Sequence, residues 1–430
     1  MPESIIETLY QAFLAANQRI TTDTRHLEKG AVFFALKGGN FDGNTFAQAA
    51  LDAGCTAAVI DADDIELRPG MIKVPDVLMA LQALATHHRR QFKGPVLAIT
   101  GSNGKTTTKE LVNAVLSQKY NTLYTFGNLN NHIGVPLTLL RLNASHNFAI
   151  IEMGANHQGE IDQLCRIAEP AYGMITNIGK AHLEGFGGIE GVKKGKSEMY
   201  RFLEQNGGLL FVNGDDSVLM ELSSKMNRKL YGSSQEFYVQ GTVLPNERAA
   251  FQLTDQANST LTVQSHLVGS YNVINCLAAA AIGRFFGVTD QQIKTAIEGY
   301  VPDMNRSQLH QTEKNTLILD AYNANPNSMK AAIENFAGLP AGRKLALLGD
   351  MFELGDYSAQ EHQMVADLCA AKGVEAILVG PAFAKTKTNL RCFETVAGCK
   401  SYLQDQQIVQ STILIKGSRG MKMEQLQEVL

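Results

Sequence analysis

The chain of 430 residues lacks the features of disulfide-rich, zinc-binding and membrane proteins. Its six cysteines form no CxxC pair and no spacing typical of a zinc site, so we interpret them as buried or incidental thiols in a reducing compartment. No apolar run approaches the roughly 20 residues that cross a bilayer. The first residues mix acidic and apolar positions, which predicts an amphipathic helix rather than a signal peptide. We therefore expect a cytoplasmic protein without stable membrane association.

An excess of positive charge is also missing. The formal net charge of -4 at pH 7 argues against a general affinity for nucleic acid. Apolar residues make up 45% of the chain and charged residues 19%, which is ordinary for a globular protein. If the substrates are anionic, positive charge must be concentrated locally or supplied by metal ions.

Apolar runs and turn signals divide the chain into three blocks, which we predict as domains at 1–92, 93–301 and 302–430. In the second and third blocks, strand candidates alternate with helical patterns, which predicts parallel sheets covered on both faces. One less regular segment, 235–267, is predicted as an antiparallel appendage. The strand candidates are 31–36 and 57–60 in the first block, 96–99, 148–152, 174–177 and 209–213 in the second, and 317–319, 345–348, 376–379 and 412–415 in the third. Helices are predicted at 106–117 and 358–371.

The segment 100–107, TGSNGKTT, lies between a predicted strand and a predicted helix. A glycine-rich turn in this position gathers backbone N–H groups around an anion, and the helix N-terminus adds its positive dipole end. The spacing GxxGKT is two residues shorter than the common phosphate-loop motif, but the flanking strand and helix make a chance turn the weaker interpretation. We predict an ATP phosphate site formed by Gly101, Ser102, Asn103, Gly104, Lys105, Thr106 and Thr107, in which Lys105 meets the β- and γ-phosphates and Thr106 ligates Mg²⁺.

Three residues downstream are candidates for chemistry, each with a plainer alternative. Glu152 ends a predicted strand, where α/β proteins place metal ligands, but it could be a solvated acid. His182 follows another strand, and a lone histidine is more often structural than a ligand. Lys196 lies in the basic run KKGK, and composition alone favours a solvated helix face there.

Several motifs occur together along essentially the whole chain. They are GSNGKT at 101–106, NLNN at 128–131, EMGANH at 152–157, AHLEGFG at 181–187, DAYNAN at 320–325, LGDM at 348–351 and KGSR at 416–419. This combination resembles the Mur ligase family and is far more specific than any single motif.

The resemblance implies an α/β fold of three domains: an N-terminal UDP-sugar-binding α/β domain, a central ATPase-like parallel-sheet domain with the phosphate loop, and a C-terminal Rossmann-like domain. It implies an ATP-dependent amide ligase that adds D-alanyl-D-alanine to a UDP-N-acetylmuramoyl-tripeptide through an acyl phosphate, in peptidoglycan precursor synthesis. The expected cofactors are ATP and two Mg²⁺ ions, and the expected state is a monomer.

The resemblance also implies roles for individual residues. Thr106 and Glu152 would hold one Mg²⁺, whereas His182 and a carbamylated Lys196 would serve the second, with Lys105, Glu152, His182 and Lys196 as the catalytic set. Because CO₂ adds only to a neutral amine, Lys196 would have to lose its proton first. The remaining roles are Asn272 and Asn275 at adenine, Arg306 at the ATP phosphates, Asp320 at the ribose, Thr24, Arg25, Lys37, Asp42, Asn44, Asn130 and Asn131 at the UDP substrate, and Asn323, Asn325, Lys416, Ser418 and Arg419 at the dipeptide.

The chain departs from the family pattern at three positions. Tyr271 stands where a histidine is usual, and Asn305 precedes Arg306 where a glycine is usual. His132 replaces a frequent aspartate, which leaves the substrate contact of that position open.

The residues leave rival functions open. Another ligase of the same fold, such as a folylpolyglutamate synthase, begins close to the phosphate loop, and a full domain ahead of Gly101 argues against it. A small-molecule kinase or a nucleotide-regulated binding protein is the alternative outside the ligase class. The third residue of the peptide, diaminopimelate or lysine, and the base that deprotonates the attacking amine also stay open.

Overall fold

The computed structural model of the protein describes residues 1–254, 259–303, 305–340 and 342–430, and its fold class is α/β, as predicted. The α-helices are α1 (Glu3–Ala15), α2 (Ala47–Asp52), α3 (Val77–Gln91), α4 (Lys105–Leu116), α5 (Gly134–Leu139), α6 (Glu160–Ala168), α7 (Leu183–Phe186), α8 (Ile189–Lys196), α9 (Glu198–Gln205), α10 (Ser217–Leu222), α11 (Val273–Phe285), α12 (Asp290–Gly299), α13 (Pro326–Gly338), α14 (Ser358–Ala371) and α15 (Val396–Gln406).

The strands follow the same chain order. They are β1 (Ile20–Thr21), β2 (Val32–Phe34), β3 (Lys37–Gly38), β4 (Phe41–Asp42), β5 (Ala57–Ile60), β6 (Met71–Lys73), β7 (Val96–Thr100), β8 (Thr122–Tyr124), β9 (Phe148–Glu152), β10 (Tyr172–Ile175), β11 (Leu209–Asn213), β12 (Arg228–Gly232), β13 (Val239–Leu244), β14 (Arg248–Thr254), β15 (Thr260–Val268), β16 (Gln308–Gln311), β17 (Thr316–Asp320), β18 (Arg343–Gly349), β19 (Ala376–Val379), β20 (Arg391–Phe393) and β21 (Ser411–Lys416). Every strand predicted from the sequence has a counterpart, although β10 begins two residues before the predicted run. Over the described ranges, every helix is too short or too polar to span a bilayer.

The chain divides into two compact units. The first comprises Met1–Ile99, Tyr120–Gly154 and Glu160–Tyr172, and the second comprises Thr100–Lys119, Ala155–Gly159 and Gly173–Leu430. The predicted domain boundaries at 92/93 and 301/302 stay a prediction.

The first unit contains two groups of parallel strands. One is a sheet in the order β1-β2-β5-β6, and in the other β9 pairs in parallel with both β7 and β8. The apolar runs of β2, β5, β7 and β9 are buried along their whole length, as expected for strands covered on both faces.

The second unit contains a run of strands whose pairing changes from parallel to antiparallel. Strands β11, β12 and β13 pair in parallel, whereas β14 pairs antiparallel with β13 and β15. The antiparallel pairing predicted for 235–267 is therefore correct, but the description as an appendage is wrong, because β13 continues the sheet beside β12. Helix α11 packs on α4, and the two approach closely at Gly283, where an added Cβ would lie 2.3 Å from Val115 Cγ1. This packing fixes the helix that follows the phosphate loop.

The second unit also contains a sheet in the order β16-β17-β21-β18-β19-β20. All its pairings are parallel except that of the edge strand β16 with β17. Lys416 at the end of β21 is in register with Asp320 on one side and Leu348 on the other. Because the carboxyl ends of parallel strands meet at one edge, the motifs at 320–325, 348–351 and 416–419 lie together there.

Asn315 fastens the opposite end of this sheet. Its side chain is buried and donates to the backbone carbonyls of Ile408 (2.8 Å) and Leu430 (2.7 Å), while its Oδ1 accepts from the Ser411 N–H (3.1 Å). A single buried amide therefore joins the start of β17, the start of β21 and the end of the chain.

We expect Asn315→Ala to destabilise this sheet by about 2–4 kcal/mol, because buried backbone groups lose their partners. Thermal unfolding followed by circular dichroism measures the change in Tm, with the exposed Asn389→Ala as the control. Equal Tm values for the two variants would contradict the anchoring role.

Candidate active site

The phosphate loop requires glycine at two positions. The loop connects β7 to α4, and Gly101 and Gly104 have φ angles of 141° and 77°, which favour glycine. An added Cβ at Gly101 would lie 2.0 Å from Thr176 Oγ1, and one at Gly104 would lie 3.0 Å from Asn275 Oδ1. The short GxxG spacing therefore follows from backbone conformation and from close packing.

The segment that follows β10 holds this loop in place. The N–H groups of Ser102 and Asn103 donate to the backbone oxygen and to Oδ1 of Asn177 (3.0 and 3.1 Å), and Thr176 Oγ1 donates to the Asn103 carbonyl (2.6 Å). Ser102 Oγ donates to the Gly179 carbonyl (3.0 Å). No local pattern predicts these partners, because they lie more than seventy positions away in the sequence.

The loop's lysine and threonines lie at the start of α4. Lys105 Nζ donates to the carbonyl of Gly101 (2.7 Å), so its positive charge is held at the turn. Thr106 and Thr107 are buried in the first turn of the helix, which begins after Gly104 with no side-chain cap. An uncapped first turn beside a lysine is suited to an anion.

The predicted adenine residues form a buried network beside the loop. Asn275 accepts from Thr108 Oγ1 (3.2 Å) and donates to Asn272 Oδ1 (3.0 Å), and Asn272 donates to the Val268 carbonyl (2.8 Å). Asn275 therefore supports the loop from α11, and Asn272 orients Asn275 from just before that helix. The contact of both asparagines with adenine stays a prediction.

Lys196 is fully buried at the end of α8, so its interpretation as part of a solvated basic face is wrong. Its Nζ donates to the Ala155 carbonyl (3.1 Å) and lies 5.2 Å from the centre of the Phe186 ring. Lys194 on the same helix is exposed.

His182 is paired with a carboxylate that the sequence analysis missed. Its Nδ1 contacts Glu353 Oε2, and this contact lowers the pKa of the Glu353 carboxyl. Both residues have positive φ angles, 52° and 62°, which non-glycine residues seldom adopt. The pairing depends on a tertiary approach of two turns, so no local pattern predicts it.

Glu152 lies in the first unit and is buried, which excludes the alternative of a solvated acid. Its Oε1 accepts from Asn130 Nδ2 (2.7 Å), and its backbone N–H donates to Thr125 Oγ1 (2.9 Å). Asn130, predicted at the UDP substrate, therefore orients Glu152.

The other predicted UDP residues also lie in the first unit, and several are bonded to one another. Asn44 is buried and donates to Asp42 (2.8 Å) and Asp61 (2.9 Å), and Lys37 forms an ion pair with Asp61 (2.8 Å). Arg25 is exposed and paired with its neighbour Asp23, Thr24 is partly exposed, and Asn131 accepts from the backbone N–H groups that begin α5. Asp61 organises this group and was missed from the sequence.

The carboxyl edge of the last sheet contains both paired and unpaired cations. Lys416 Nζ forms a buried ion pair with Asp320 Oδ2 (2.6 Å), and Asp320 Oδ1 accepts from the Ser307 N–H (3.2 Å). Arg306 and Arg419 instead lie over the ring of Tyr322. Ser418 Oγ accepts from the Phe352 N–H (2.9 Å), and Asn323 is exposed.

Residues of the last block contact the loop and the turn before α7. Asn325 caps α13 and donates to Asn103 Oδ1 (2.6 Å). Lys180 forms an ion pair with the buried Glu361 (2.5 Å), and its backbone N–H donates to Asn327 Oδ1 (2.8 Å). Predicted nucleotide and dipeptide residues are therefore brought together within the second unit.

The three departures from the family pattern lie in different surroundings. Asn305 has a φ angle of 55°, the left-handed conformation that glycine favours and asparagine tolerates. Tyr271 hydroxyl is 3.2 Å from Ser307 Oγ. His132 is exposed, and its backbone carbonyl accepts from Gln82 Nε2 (2.9 Å).

The donor groups fit Mg²⁺ in part. The described ranges contain no cluster of three or more His, Cys, Asp or Glu arranged for a metal. Mg²⁺ is usually bound through one or two protein oxygens with water and substrate phosphates, so Thr106 and Glu152 are suitable donors. The imidazole of His182 and an ammonium group on Lys196 are not suitable Mg²⁺ donors, whereas a carbamate on Lys196 would supply a carboxylate-like oxygen.

Comparisons with known proteins agree along the chain. Models of the Mur ligase family match residues 18–89 (catalytic domain), 99–283 (middle domain) and 305–419 (glutamate ligase domain). The UDP-N-acetylmuramoyl-tripeptide–D-alanyl-D-alanine ligase of Escherichia coli is 38% identical over 96% of this chain and 93% of the relative, and that of Bacillus subtilis is 35% identical over 95% and 92%.

Solved structures show the same similarity. A crystal structure of MurF from Acinetobacter baumannii is 35% identical with a TM-score of 0.87, covering 97% of both chains. MurF from Thermotoga maritima in complex with ADP is 25% identical with a TM-score of 0.86, covering 96% of this chain and 97% of that chain. A Mycobacterium tuberculosis folylpolyglutamate synthase shares the fold at 15% identity and a TM-score of 0.61, covering 82% of this chain and 93% of that one.

We expect Gly101→Ala to weaken ADP binding by at least about tenfold, because the added methyl group collides with Thr176 and strains the turn. Isothermal titration with ADP measures this loss. Gly299→Ala is the control, because a Cβ there meets open space. Equal affinities in both variants would contradict the assigned loop.

Proposed function

The chain belongs to the Mur ligase family, and on that basis we propose that it adds D-alanyl-D-alanine to a UDP-N-acetylmuramoyl-tripeptide with ATP as the phosphate donor. The observation that carries this proposal is similarity over nearly the full length to relatives that all have this one name. The proposed setting is cytoplasmic peptidoglycan precursor synthesis, and the proposed state is a monomer.

The rival functions are less well supported. The folylpolyglutamate synthase is similar enough to indicate the fold alone, and the family model at residues 18–89 matches a region ahead of the phosphate loop. If the protein were a small-molecule kinase or a binding protein, similarity over nearly the whole chain to relatives named as the same ligase would be unexplained. Ligation is therefore the function that the similarities favour.

The proposed reaction has two steps. A carboxylate oxygen of the tripeptide attacks the γ-phosphorus of ATP, ADP leaves, and an acyl phosphate forms. The amine of the dipeptide then attacks the acyl carbon, inorganic phosphate leaves, and the nitrogen loses a proton. Both partners of the first step are anionic, so positive charge at the start of α4, above all Lys105, is needed to offset their repulsion.

We assign the metal ligands by the same reasoning. Thr106 and Glu152 would supply oxygens to one Mg²⁺, and His182 and carbamylated Lys196 would serve a second. When bound, these ions would neutralise phosphate charge during transfer. The burial of Lys196 supports its assignment, because it takes the side chain out of a solvated helix face and places its Nζ at the Ala155 carbonyl.

We also assign substrate contacts to residues of the last block, which lie at the carboxyl edge of its sheet. We assign Arg306 to the ATP phosphates and Asp320 to the ribose. The dipeptide would be bound by Asn323, Asn325, Lys416, Ser418 and Arg419. Asn325 already contacts Asn103 of the loop. An arrangement in which the block covers the loop would exclude water, and so protect the acyl phosphate from hydrolysis.

The decisive assay measures phosphate release by the purified protein. We expect release that requires ATP, UDP-tripeptide and D-alanyl-D-alanine together, with a new amide product detected by mass spectrometry. Separate reactions with the diaminopimelate and lysine tripeptides identify the third residue. Stoichiometric ATP turnover without the dipeptide, giving a stable phosphorylated product, would identify a kinase instead.

We expect Lys196→Ala to lose nearly all ligase activity, at least about a hundredfold, while ADP affinity stays within about threefold of the wild-type value. The reason is that the variant loses a metal ligand but keeps the loop. Lys194→Ala, on the exposed side of the same helix, is the matched control and should retain full activity. Wild-type turnover by Lys196→Ala would exclude the metal-ligand role.

A further inference from the structure

The ring of Tyr322 gathers two arginines from separate parts of the chain. The guanidinium carbon of Arg306 lies 3.4 Å from the ring centre, and that of Arg419 lies 4.9 Å from it. Arg306 precedes β16, Tyr322 follows β17, and Arg419 follows β21. The three side chains meet because these strands are neighbours and the residues lie at one edge of the sheet.

These two arginines are not neutralised. Within the described part of the chain neither has a carboxylate at ion-pair distance, and Arg306 Nε is buried with no hydrogen-bond partner. Lys416 at the same edge is by contrast fully paired with Asp320. Two unpaired guanidinium groups near one ring repel each other, so their arrangement is suited to an anionic ligand.

Stacking explains how the arginines can be held and still bind. A guanidinium group that lies flat on an aromatic ring uses its face for the cation–π contact and keeps its N–H edge for phosphate or carboxylate oxygens. Among the described residues, the Tyr322 hydroxyl makes no hydrogen bond. The arginines therefore contact the ring of Tyr322 and not its hydroxyl.

We propose that Tyr322 is a positioning residue that holds Arg306 and Arg419 as one unit, so that the phosphate donor and the incoming dipeptide are bound interdependently. The inference rests on the proposed function, in which Arg306 meets the ATP phosphates and Arg419 meets the dipeptide carboxylate. Each arginine is then placed by a ring that also places the other. Removal of the ring weakens both substrate contacts at once.

The test compares Tyr322→Leu, which removes the ring, with Tyr322→Phe, which keeps it. We expect Tyr322→Leu to raise KM for ATP and KM for D-alanyl-D-alanine by about tenfold each, with kcat lowered less than about threefold and Tm unchanged. Tyr322→Phe should stay within about twofold of the wild type in both constants. A merely structural tyrosine would not give this paired rise in KM without a change in Tm.

A control and a second variant keep the test decisive. Tyr402 stacks on Arg391 (4.3 Å) against the core of the same sheet, so Tyr402→Leu removes a similar pair away from the carboxyl edge. It should lower Tm without a selective change in either KM. Should Tyr322→Leu not fold, Arg419→Lys at an exposed position keeps the charge, loses the flat stacking group and should also raise both KM values.

Three results would overturn the inference. They are unchanged KM values in Tyr322→Leu, a rise in only one KM, and the same pattern in Tyr402→Leu. The wild-type protein separates this outcome from a failure of the proposed function. Without amide formation by the wild type, the function is wrong, whereas normal wild-type turnover with unaffected Tyr322 variants contradicts the positioning role alone.

Discussion

The contact between Gly101 and Thr176 is the constraint on which the nucleotide side of the second unit depends. With no room for a Cβ, the backbone turns in a conformation closed to most residues and lies against the segment after β10. That turn sets where α4 begins, and therefore where Lys105 and Thr106 stand. Asn275 packs on the same turn from α11, so the loop is fixed from two directions before any ligand binds.

The cations of the second unit differ in how their charge is held. Lys416 is buried with Asp320 and has a full ionic partner, which makes it suited to holding the edge of the sheet together. Lys196 is equally buried, and its Nζ donates to the Ala155 carbonyl and lies near the Phe186 ring. The two arginines on Tyr322 are a third case: they stack on the ring, and among the described residues neither has a carboxylate at ion-pair distance.

Much of the fold could be predicted from the sequence because long apolar runs form buried strands whatever their surroundings. Strands such as β9 and β19 were predicted at their observed bounds. The strands β16 and β20 were not, because they are short, carry polar residues and lie at the edges of the sheet. Edge strands depend on a neighbour for their conformation, and no local pattern specifies that neighbour.

The same difference applies to the candidate site. Glycine spacing and strand-end positions identified the loop and Glu152, since these signals are local. Partners such as Glu353 and Asn177 are distant in sequence and are joined to the site only by the fold. Asn325 shows why composition is not enough: its side chain caps α13 and also bonds Asn103 of the loop, so a residue typical of an ordinary helix cap connects the last block to the phosphate site. Because this helix cap also binds the loop, the position of α13 is coupled to the conformation of the loop. A ligand that orders the loop would therefore also affect the position of α13.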